Sequence, residues 1–238
     1  MPLRILGGGA NVLVPDEGVD ALVVHMGKLR LVAGEGDRLH AWAGATLPGL
    51  VLRAARAGLS GLEGFVGIPG TVGGALRMNA GGRYGEFTEV IETLDLVEET
   101  GVRRTLRRED LRPVYRDGGL NGSVVLGATL RLTPGEREKI EERTSVVLAE
   151  KSAAQPLQER SAGCIWRNPP NGSAGRLVED AGCKGWREGD AVVSEKHGNF
   201  VVNRGLAAAA DVLRLLERVE GAVAEKTGVR LEREIVVW

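Results

Sequence analysis

Glycine dominates the stretch from Gly61 to Gly85, which reads GLEGFVGIPGTVGGALRMNAGGRYG and contains no aspartate. Because glycine has no Cβ atom, it permits positive φ angles and lets another group approach the backbone closely. Consecutive exposed N–H groups in such a loop form a concavity that binds anions without the help of a lysine. A set of tight turns between strands is the alternative interpretation.

A second glycine cluster favours the anion-binding interpretation. It lies near the start of the chain and consists of Gly7, Gly8, Gly9, Ala10 and Asn11. This cluster is not the dinucleotide fingerprint of a Rossmann fold, because Val12 occupies the position of the third glycine and no helical pattern follows. The sequence therefore predicts that two glycine loops hold one diphosphate group between them.

Strands and helices are interspersed around these loops in the first half of the chain. Leu3 to Leu6 predict a buried strand that leads into the first glycine cluster. Thr46 is a candidate N-cap for a helix whose apolar residues recur close to every 3.6 residues, and this helix leads to Gly61. Runs of apolar and alternating residues predict the other strands, which are expected near 21–24, 29–31, 39–43, 90–96, 102–106 and 124–132.

The motif Thr133-Pro134-Gly135 interrupts this α+β pattern. We expect a domain boundary there, with a first domain at 1–134 and a second domain at 135–238. The elements expected in the second domain are helices near 136–151, 173–181 and 209–223 and strands near 192–193, 200–202 and 229–237.

The composition excludes several classes of protein. A chain of 238 residues with a net charge of −1 lacks the strong basic field that is typical of nucleic-acid-binding domains. No apolar run is long enough to span a membrane and the N-terminus lacks the layout of a secretory signal, so the cytoplasm is the expected location. Two cysteines and three histidines indicate neither a disulfide framework nor a metal site. Nothing in the sequence indicates an obligate protein partner.

Seven short motifs occur in an order that identifies one enzyme family. They are LGGGAN from Leu6, GIPGTVGGALRMNAGGRYGE from Gly67, VYRD from Val114, SAGCIWRNP from Ser161, SAGRLVEDAGCKG from Ser173, VSEKHGNFVVN from Val193 and LEREI from Leu231. With them the chain resembles the UDP-N-acetylenolpyruvoylglucosamine reductase (MurB) family, in its short, type II-like form. The resemblance implies a vanillyl-alcohol-oxidase (PCMH)-type FAD-binding domain followed by an α+β substrate domain.

The reaction that this resemblance implies reduces the enolpyruvyl ether of a nucleotide sugar for peptidoglycan synthesis. A hydride passes from NADPH to FAD and then to the methylene carbon of the ether, and a proton is added to the adjacent carbon. The resemblance also assigns the residues that bind the cofactor, which are Gly7, Gly8, Gly9, Ala10, Asn11, Gly67, Ile68, Pro69, Gly70, Thr71, Gly73, Gly74, Asn79 and Gly81.

Arg116, in VYRD, resembles the arginine with which the family binds the enolpyruvyl carboxylate. A guanidinium suits this role because it stays charged and can form two parallel hydrogen bonds with a carboxylate. A surface ion pair with Asp110 or Asp117 is the alternative. Tyr115 beside it is expected either to bind substrate or to pack.

Cys164, in SAGC, stands where most of the family has a serine that protonates the intermediate. A thiol is still largely protonated at pH 7 and is a stronger acid than an alcohol. The alternative role, which is usual for a cysteine outside a disulfide, is that of a small buried hydrophobic residue. That alternative is our interpretation of Cys183.

Glu234 resembles the family's glutamate that assists the enolate as an acid. Glu232 shares its face by the strand period of two and is the main competing assignment. The family pattern has the catalytic glutamate directly before an apolar residue, here Ile235, and so selects Glu234.

The resemblance also implies that Asn168, His197 and Asn199 line the substrate pocket. The alternatives are that Asn168 lies in a loop turn and that His197 is a core histidine. Basic residues are most often solvated surface, and the candidates for binding the substrate's diphosphate are Lys151, Arg167, Lys184 and Lys196.

Some positions depart from the family pattern. Ala10 replaces a common serine, Ala154 stands where a lysine is frequent, and Gly118-Gly119 replaces the serine that usually follows YRD. Family members also begin with a strand–helix unit ahead of LGGG. Either the start of this chain is misassigned or cropped, or the flavin domain is N-terminally shortened, and flavin retention is then the property most affected.

Two other functions remain open at this point. One is another oxidoreductase of the same FAD fold, such as an oxidase of small alcohols, and the other is a flavin-free nucleotide-sugar-binding protein. An alcohol oxidase should lack the SAGC, RNP and terminal glutamate motifs together.

Overall fold

The computed structural model describes residues 1–170 and 172–238. Its strands are β1 Leu3–Leu6, β2 Val12–Leu13, β3 Leu22–His25, β4 Val32–Glu35, β5 Arg38–Trp42, β6 Leu59–Ser60, β7 Gly81–Gly82, β8 Gly85–Glu86, β9 Ile91–Val97, β10 Arg103–Arg107, β11 Val124–Arg131, β12 Thr133–Pro134, β13 Ser161–Cys164, β14 Arg187–Glu188, β15 Ala191–Val193, β16 Phe200–Asn203 and β17 Val236–Val237. Its α-helices are α1 Leu47–Arg56, α2 Val72–Arg77, α3 Arg137–Ala154, α4 Ala174–Asp180 and α5 Ala209–Thr227. None of the helices within these ranges is long and apolar enough to cross a membrane.

The chain folds into two compact units. Unit 1 consists of Met1–Gly8 and Ala21–Glu150, and unit 2 consists of Gly9–Asp20 and Lys151–Trp238. The boundary expected at 134/135 lies ahead of α3, whereas the units divide inside this helix. Val147 of α3 is buried in the core of unit 1, and this burial keeps most of the helix with that unit.

Unit 1 is built on a five-stranded antiparallel sheet with the strand order β10-β9-β11-β5-β4. Helix α2 contacts β11 and β5. Helix α1 begins after Thr46, whose hydroxyl accepts a hydrogen bond from the N–H of Gly49, as the sequence predicts. The buried face of α1 carries Leu47, Leu50 and Val51, which belong to one core with residues of the sheet.

A separate parallel pair, β1 and β3, carries the chain into the first glycine cluster. Both strands are predicted from the sequence, but the expected burial of β1 is wrong. Leu3 is 54% exposed and Leu22 of β3 is 52% exposed. The physical reason is that β1 and β3 form a sheet of only two strands, so most of their side chains stay in contact with solvent.

Unit 2 contains a four-stranded antiparallel sheet with the order β13-β16-β15-β14. Residues of α4 and α5 and of this sheet form its core. The segment Gly9–Asp20 joins this unit through the parallel pairing of β2 with β17. Asp16 extends the attachment, because its two carboxylate oxygens accept hydrogen bonds from Ala209 and Ala210 at the start of α5. These bonds lower the pKa of the Asp16 carboxyl.

The final strand is shorter than the alternating pattern predicts. Helix α5 ends at Thr227 and is capped by Gly228, which has a φ of +72°. Beyond it, regular strand geometry is limited to Val236–Val237, with one isolated bridge between Arg233 and Trp166. The N–H groups of Glu234 and Ile235 both point to the carbonyl of Ile165, at 2.7 and 3.4 Å, so the chain bends there instead of continuing as a strand.

Candidate active site

The two glycine loops touch each other in unit 1. A Cβ atom added to Gly7 would lie 2.5 Å from Oγ1 of Thr71, and one added to Gly8 would lie 2.8 Å from the Cα of Gly70. Gly67 and Gly70 also have positive φ angles, of +79° and +103°. These positions therefore require glycine for close approach or for backbone conformation.

The loop amides, and not the helix that follows them, are the groups available to an anion. Among residues 1–170 and 172–238, the N–H groups of Gly7, Gly8, Gly70 and Thr71 make no internal hydrogen bond. The N–H groups of the first turn of α2 all donate hydrogen bonds inside unit 1. Their acceptors are the carbonyls of Ala43, Ala45 and Thr71 and the Thr71 hydroxyl.

This arrangement fits the diphosphate of a dinucleotide such as FAD. Two backbone segments without Cβ atoms lie in contact, and their unused N–H groups are the kind of donors that bind phosphate. Gly73 and Gly74 contribute differently, because their N–H groups bond to Ala43 and Thr71. Gly73 permits close packing, since an added Cβ would lie 2.9 Å from the Cβ of Ala43. Between Gly67 and Gly70, Pro69 is exposed, whereas Ile68 is partly buried and packs against the core of unit 1.

Substitution of Gly8 by alanine should weaken flavin binding, because the new Cβ would push against the backbone of Gly70. We expect the flavin dissociation constant to rise by about tenfold or more, equal to about 1.4 kcal/mol. The matched control is Gly82→Ala, since no atom lies within 4 Å of a Cβ added there. Titration of both apoproteins with FAD measures the effect, and equal affinities would contradict the placement of the cofactor at this loop.

Arg116 lies in a tight turn of unit 1. The N–H and carbonyl groups of Val114 and Asp117 bond to each other across it, at 2.8 and 3.0 Å. Arg116 has a φ of +59°, a strained value for a residue other than glycine that is often found at functional sites. Its Nη1 donates to the carbonyl of Gly81 at 3.2 Å, and its guanidinium lies over the ring of Tyr115.

Asn79 connects the glycine-rich stretch to this turn. Its side chain is fully buried, and its Nδ2 donates to Glu86 at 2.6 Å and to the carbonyl of Val114 at 3.3 Å. Its Oδ1 accepts a bond from the Thr88 hydroxyl at 2.8 Å. These bonds hold the Arg116 turn against the loop, which is a supporting role that the sequence did not indicate for Asn79.

Cys164 ends β13 at a β-bulge in unit 2. Ser161 pairs with Val202 and Cys164 pairs with Phe200, so β13 has one residue more than β16 over this stretch. Gly163 accommodates the extra residue with a φ of +78°. Because a bulge bends its strand and redirects side chains, it sets the direction of the half-buried Cys164 side chain. The sequence analysis missed this bulge, although a lone glycine inside a strand pattern is its usual signal.

Glu234 lies on the segment next to the one that carries Cys164. The N–H of Glu234 donates to the carbonyl of Ile165, the residue after Cys164. One carboxyl oxygen of Glu234, Oε2, is buried. The competing Glu232 is exposed and forms an ion pair with Arg167 at 3.4 Å.

The first glycine cluster also reaches this region through its last residues. Nδ2 of Asn11 donates to the carbonyl of Glu234 at 3.2 Å. The carbonyl of Ala10 lies 4.0 Å from a Cβ built on Gly163. Unit 2 therefore brings residues predicted to bind the cofactor next to residues predicted to be catalytic. Gly9 leads into this segment with a φ of +68°.

Asn199 is buried, and its side-chain amide forms hydrogen bonds with the backbone beside Cys164. Its Oδ1 accepts bonds from the N–H groups of Ile165 and Trp166, at 3.1 and 2.8 Å. Its Nδ2 donates to the carbonyl of Trp166 at 2.7 Å. This geometry holds the segment after Cys164 in place.

His197 is half-buried, with its ring edge-on to Phe200. Its Nδ1 accepts a hydrogen bond from the N–H of Asn199, so the neutral ring carries its proton on Nε2. Burial and, to a smaller extent, the charge of Lys184 lower the pKa of His197 and favour that neutral form. Asn168 lies on an exposed loop, and its Oδ1 accepts a bond from the first N–H of α4.

Lys184, Arg167 and Lys196 are bound to other groups of the protein. Lys184 pairs with Glu179 at 2.8 Å, Arg167 pairs with Glu232, and Lys196 donates to the carbonyl of Ser152. Cys183 is 0% exposed, and burial raises the pKa of its thiol. Its predicted role as a small buried residue is confirmed.

The candidate residues divide between the units. Those in unit 1 are Gly7, Gly8, Gly67, Ile68, Pro69, Gly70, Thr71, Gly73, Gly74, Asn79, Gly81, Tyr115 and Arg116. Those in unit 2 are Gly9, Ala10, Asn11, Cys164, Asn168, His197, Asn199 and Glu234.

Two family models match the chain. The C-terminal domain of UDP-N-acetylenolpyruvoylglucosamine reductase matches residues 155–238, and an FAD binding domain matches residues 1–107.

Proteins of known name are similar over the whole chain. The UDP-N-acetylenolpyruvoylglucosamine reductase of Moorella thermoacetica is 45% identical over 239 residues, which cover 100% of this chain and 79% of the relative. UDP-N-acetylenolpyruvoylglucosamine reductase 2 of Symbiobacterium thermophilum is 42% identical, with 100% and 78% covered. The crystal structure of UDP-N-acetylenolpyruvylglucosamine reductase (MurB) from Thermus caldophilus has a TM-score of 0.89 and 43% identity, and covers 100% of this chain and 85% of that one.

Proposed function

Because the chain belongs to the family of UDP-N-acetylenolpyruvoylglucosamine reductases, we propose that Arg116, Cys164 and Glu234 act on the substrate of this reaction. The protein is an FAD-containing oxidoreductase that reduces UDP-N-acetylenolpyruvoylglucosamine in peptidoglycan synthesis. The observation that carries this function is the 45% identity to a reductase of that name over the full length of the chain. The finer assignments below concern the reductant and the individual side chains.

FAD, when bound by the two glycine loops, supplies the hydride that reduces the methylene carbon of the enolpyruvyl ether. The reductant in our proposal is NADPH. Addition of a hydride moves the electron pair of the double bond onto the adjacent carbon, which carries the carboxylate. The protein must then stabilise this negative charge and deliver a proton to the same carbon.

Arg116 binds the carboxylate of the substrate and balances the developing charge. Two observations support this role. The strained φ of +59° marks a backbone that the surrounding structure holds in place. The bond to the carbonyl of Gly81 restrains the position of the guanidinium.

Cys164 donates the proton from its Sγ–H group, and the thiolate that remains regains a proton from water. The bulge at Gly163 supports this role because it directs the side chain. The half-buried state of Cys164 also supports the role, since a proton donor must be reachable by substrate, unlike the fully buried Cys183. Glu234 assists by hydrogen bonding to the enolate. Its N–H donates to the carbonyl of Ile165, the residue after Cys164, and this bond keeps Cys164 and Glu234 in one region of unit 2.

An anaerobic titration of the two half-reactions tests the proposal. We expect NADPH to bleach the flavin absorbance of the protein and UDP-N-acetylglucosamine enolpyruvate to restore it, with one UDP-N-acetylmuramate formed per flavin reoxidised. Bleaching by NADH alone would contradict the choice of reductant. Flavin that NADPH reduces but the substrate does not reoxidise would contradict the substrate.

A further inference from the structure

The segments that carry Cys164 and Glu234 are joined in unit 2 by their backbones. The N–H of Arg167 donates to the carbonyl of Glu232 at 2.8 Å, and the N–H of Glu234 donates to the carbonyl of Ile165 at 2.7 Å. Trp166 and Arg233 face each other in the bridge between these bonds. The relative position of the two candidate catalytic residues therefore depends on this short pairing.

One side chain from outside the pair contacts both segments. Oε1 of Glu220, in α5, accepts a hydrogen bond from the indole N–H of Trp166 at 2.9 Å. The same carboxylate binds Arg233 through two parallel bonds, from Nε to Oε1 at 2.6 Å and from Nη2 to Oε2 at 2.8 Å. We call these three residues the Glu220 clamp. The geometry points to Glu220 as a positioning residue for Cys164 and Glu234, an inference that rests on the roles proposed above.

Burial and charge make the Glu220 clamp stronger than an ordinary surface ion pair. Trp166 is fully buried, and the side chains of Arg233 and Glu220 are 29% and 24% exposed. Two parallel bonds between a guanidinium and a carboxylate are both stronger and more directional than a single contact. The hydrogen bonds to Glu220 raise the pKa of Arg233, which keeps its guanidinium charged.

The direction of the Arg233 side chain links the Glu220 clamp to the proposed chemistry. Arg233 directly precedes Glu234 in the chain, and its guanidinium is bound to Glu220 of α5. Loosening Arg233 would therefore free the backbone beside Glu234 and with it the direction of the Glu234 carboxyl group.

Asn199 holds the same pairing from a second direction, through the backbone of Ile165 and Trp166. Glu220 binds the side chains of the pairing, and Asn199 binds its backbone. Together they restrain the two segments, and neither the Asn199 amide nor the Glu220 carboxylate needs to touch the substrate. Supporting hydrogen bonds of this kind keep reacting groups within the narrow geometry that catalysis requires.

The test is Glu220→Gln, which keeps the size of the side chain but removes its charge. Enzyme reduced by dithionite is mixed anaerobically with UDP-N-acetylglucosamine enolpyruvate, so the result does not depend on NADPH. We expect the reoxidation rate at saturating substrate to fall by roughly tenfold or more, as misplacement of reacting groups does. The matched control is Glu188→Gln, which removes a carboxylate that binds Arg218 on the same helix α5 but contacts neither catalytic segment. Equal rates in the two variants would overturn the inference.

A double-mutant cycle with Cys164→Ala separates positioning from general stability. If Glu220 acts through the proposed proton donor, Glu220→Gln should change the rate by less than about threefold once Cys164 is absent. Additive effects would overturn the positioning of Cys164 by Glu220. Failure of the proposed function is distinct, because Cys164→Ala would then reoxidise at the wild-type rate by itself.

A readout without flavin or substrate completes the test. Alkylation of Cys164 by iodoacetamide should be at least about threefold faster in Glu220→Gln than in Glu188→Gln, because the segment beside the thiol gains freedom. Arg233→Lys is the second variant if Glu220→Gln does not fold, since lysine keeps the charge but cannot form the two parallel bonds. It should change both rates in the same direction, and unchanged rates would overturn the inference.

Discussion

Cys164→Ala should slow reoxidation of the reduced flavin by UDP-N-acetylglucosamine enolpyruvate by about 10²–10⁴-fold, the range that positioned proton donors contribute. Reduction of the flavin by NADPH should keep its wild-type rate, because that half-reaction does not use the thiol. Anaerobic stopped-flow spectroscopy of the flavin absorbance measures the two half-reactions separately. An unchanged reoxidation rate would remove the proton-donor assignment.

The chain offers its own control for this substitution. Cys183→Ala makes the same chemical change in the same unit, at a position that is fully buried in the core. It should leave both half-reactions unchanged and lower the free energy of unfolding by about 1 kcal/mol or somewhat more, as expected for loss of a small buried group. Cys164→Ser should recover part of the lost rate, because a hydroxyl can also donate a proton but is a weaker acid than a thiol.

Arg116→Gly should lower kcat/KM by at least about 100-fold, since it removes two charge-assisted hydrogen bonds to a carboxylate that are each worth about 1.5–3 kcal/mol. The same substitution should not lower the free energy of unfolding. Arg116 has a φ of +59°, which glycine adopts without strain and other residues adopt at a cost of about 1 kcal/mol. Steady-state kinetics measure the loss of activity, and urea denaturation measures whether stability is kept.

Arg107→Ala is the control for loss of one arginine, because Arg107 is exposed and lies 3.8 Å from its partner Glu109. Its kcat/KM should stay within about twofold of the wild type, as for an exposed surface pair. Wild-type kcat/KM in Arg116→Gly would contradict the carboxylate-binding role. A large loss of stability in the same variant would show that the turn depends on the arginine side chain.

The elements that the sequence predicts correctly are those whose signals are local. The N-cap at Thr46 and the apolar spacing of α1 lie within one helix, and the alternation in β11 lies within one strand. The positive φ angles of Gly67 and Gly70 also follow from residue type. By contrast, the buried state expected of β1 depends on what packs against it, and a run of apolar residues carries no information about its neighbours.

The supporting residues around the candidate site were not predictable in the same way. Asn11 bonds to the backbone of Glu234 across 223 positions of the chain. Glu220 joins Trp166, 54 positions away, to Arg233, 13 positions away. No periodicity or motif spacing encodes such distances, because they result from the way in which α5, the β2 segment and the last residues pack in unit 2.

The sequence by itself determined the family, the need for two glycine loops and the candidates for the reactive side chains, because residue type alone decides which groups can donate a proton, bind a carboxylate or leave the backbone without a side chain. Tertiary structure decided the directions and the hydrogen-bond partners of those groups. It showed that the loop amides are available while those of α2 are used, that a bulge directs Cys164, and that the amides of Asn79 and Asn199 hold backbone in place. These outcomes depend on contacts between distant residues, and such contacts exist only once the chain has folded.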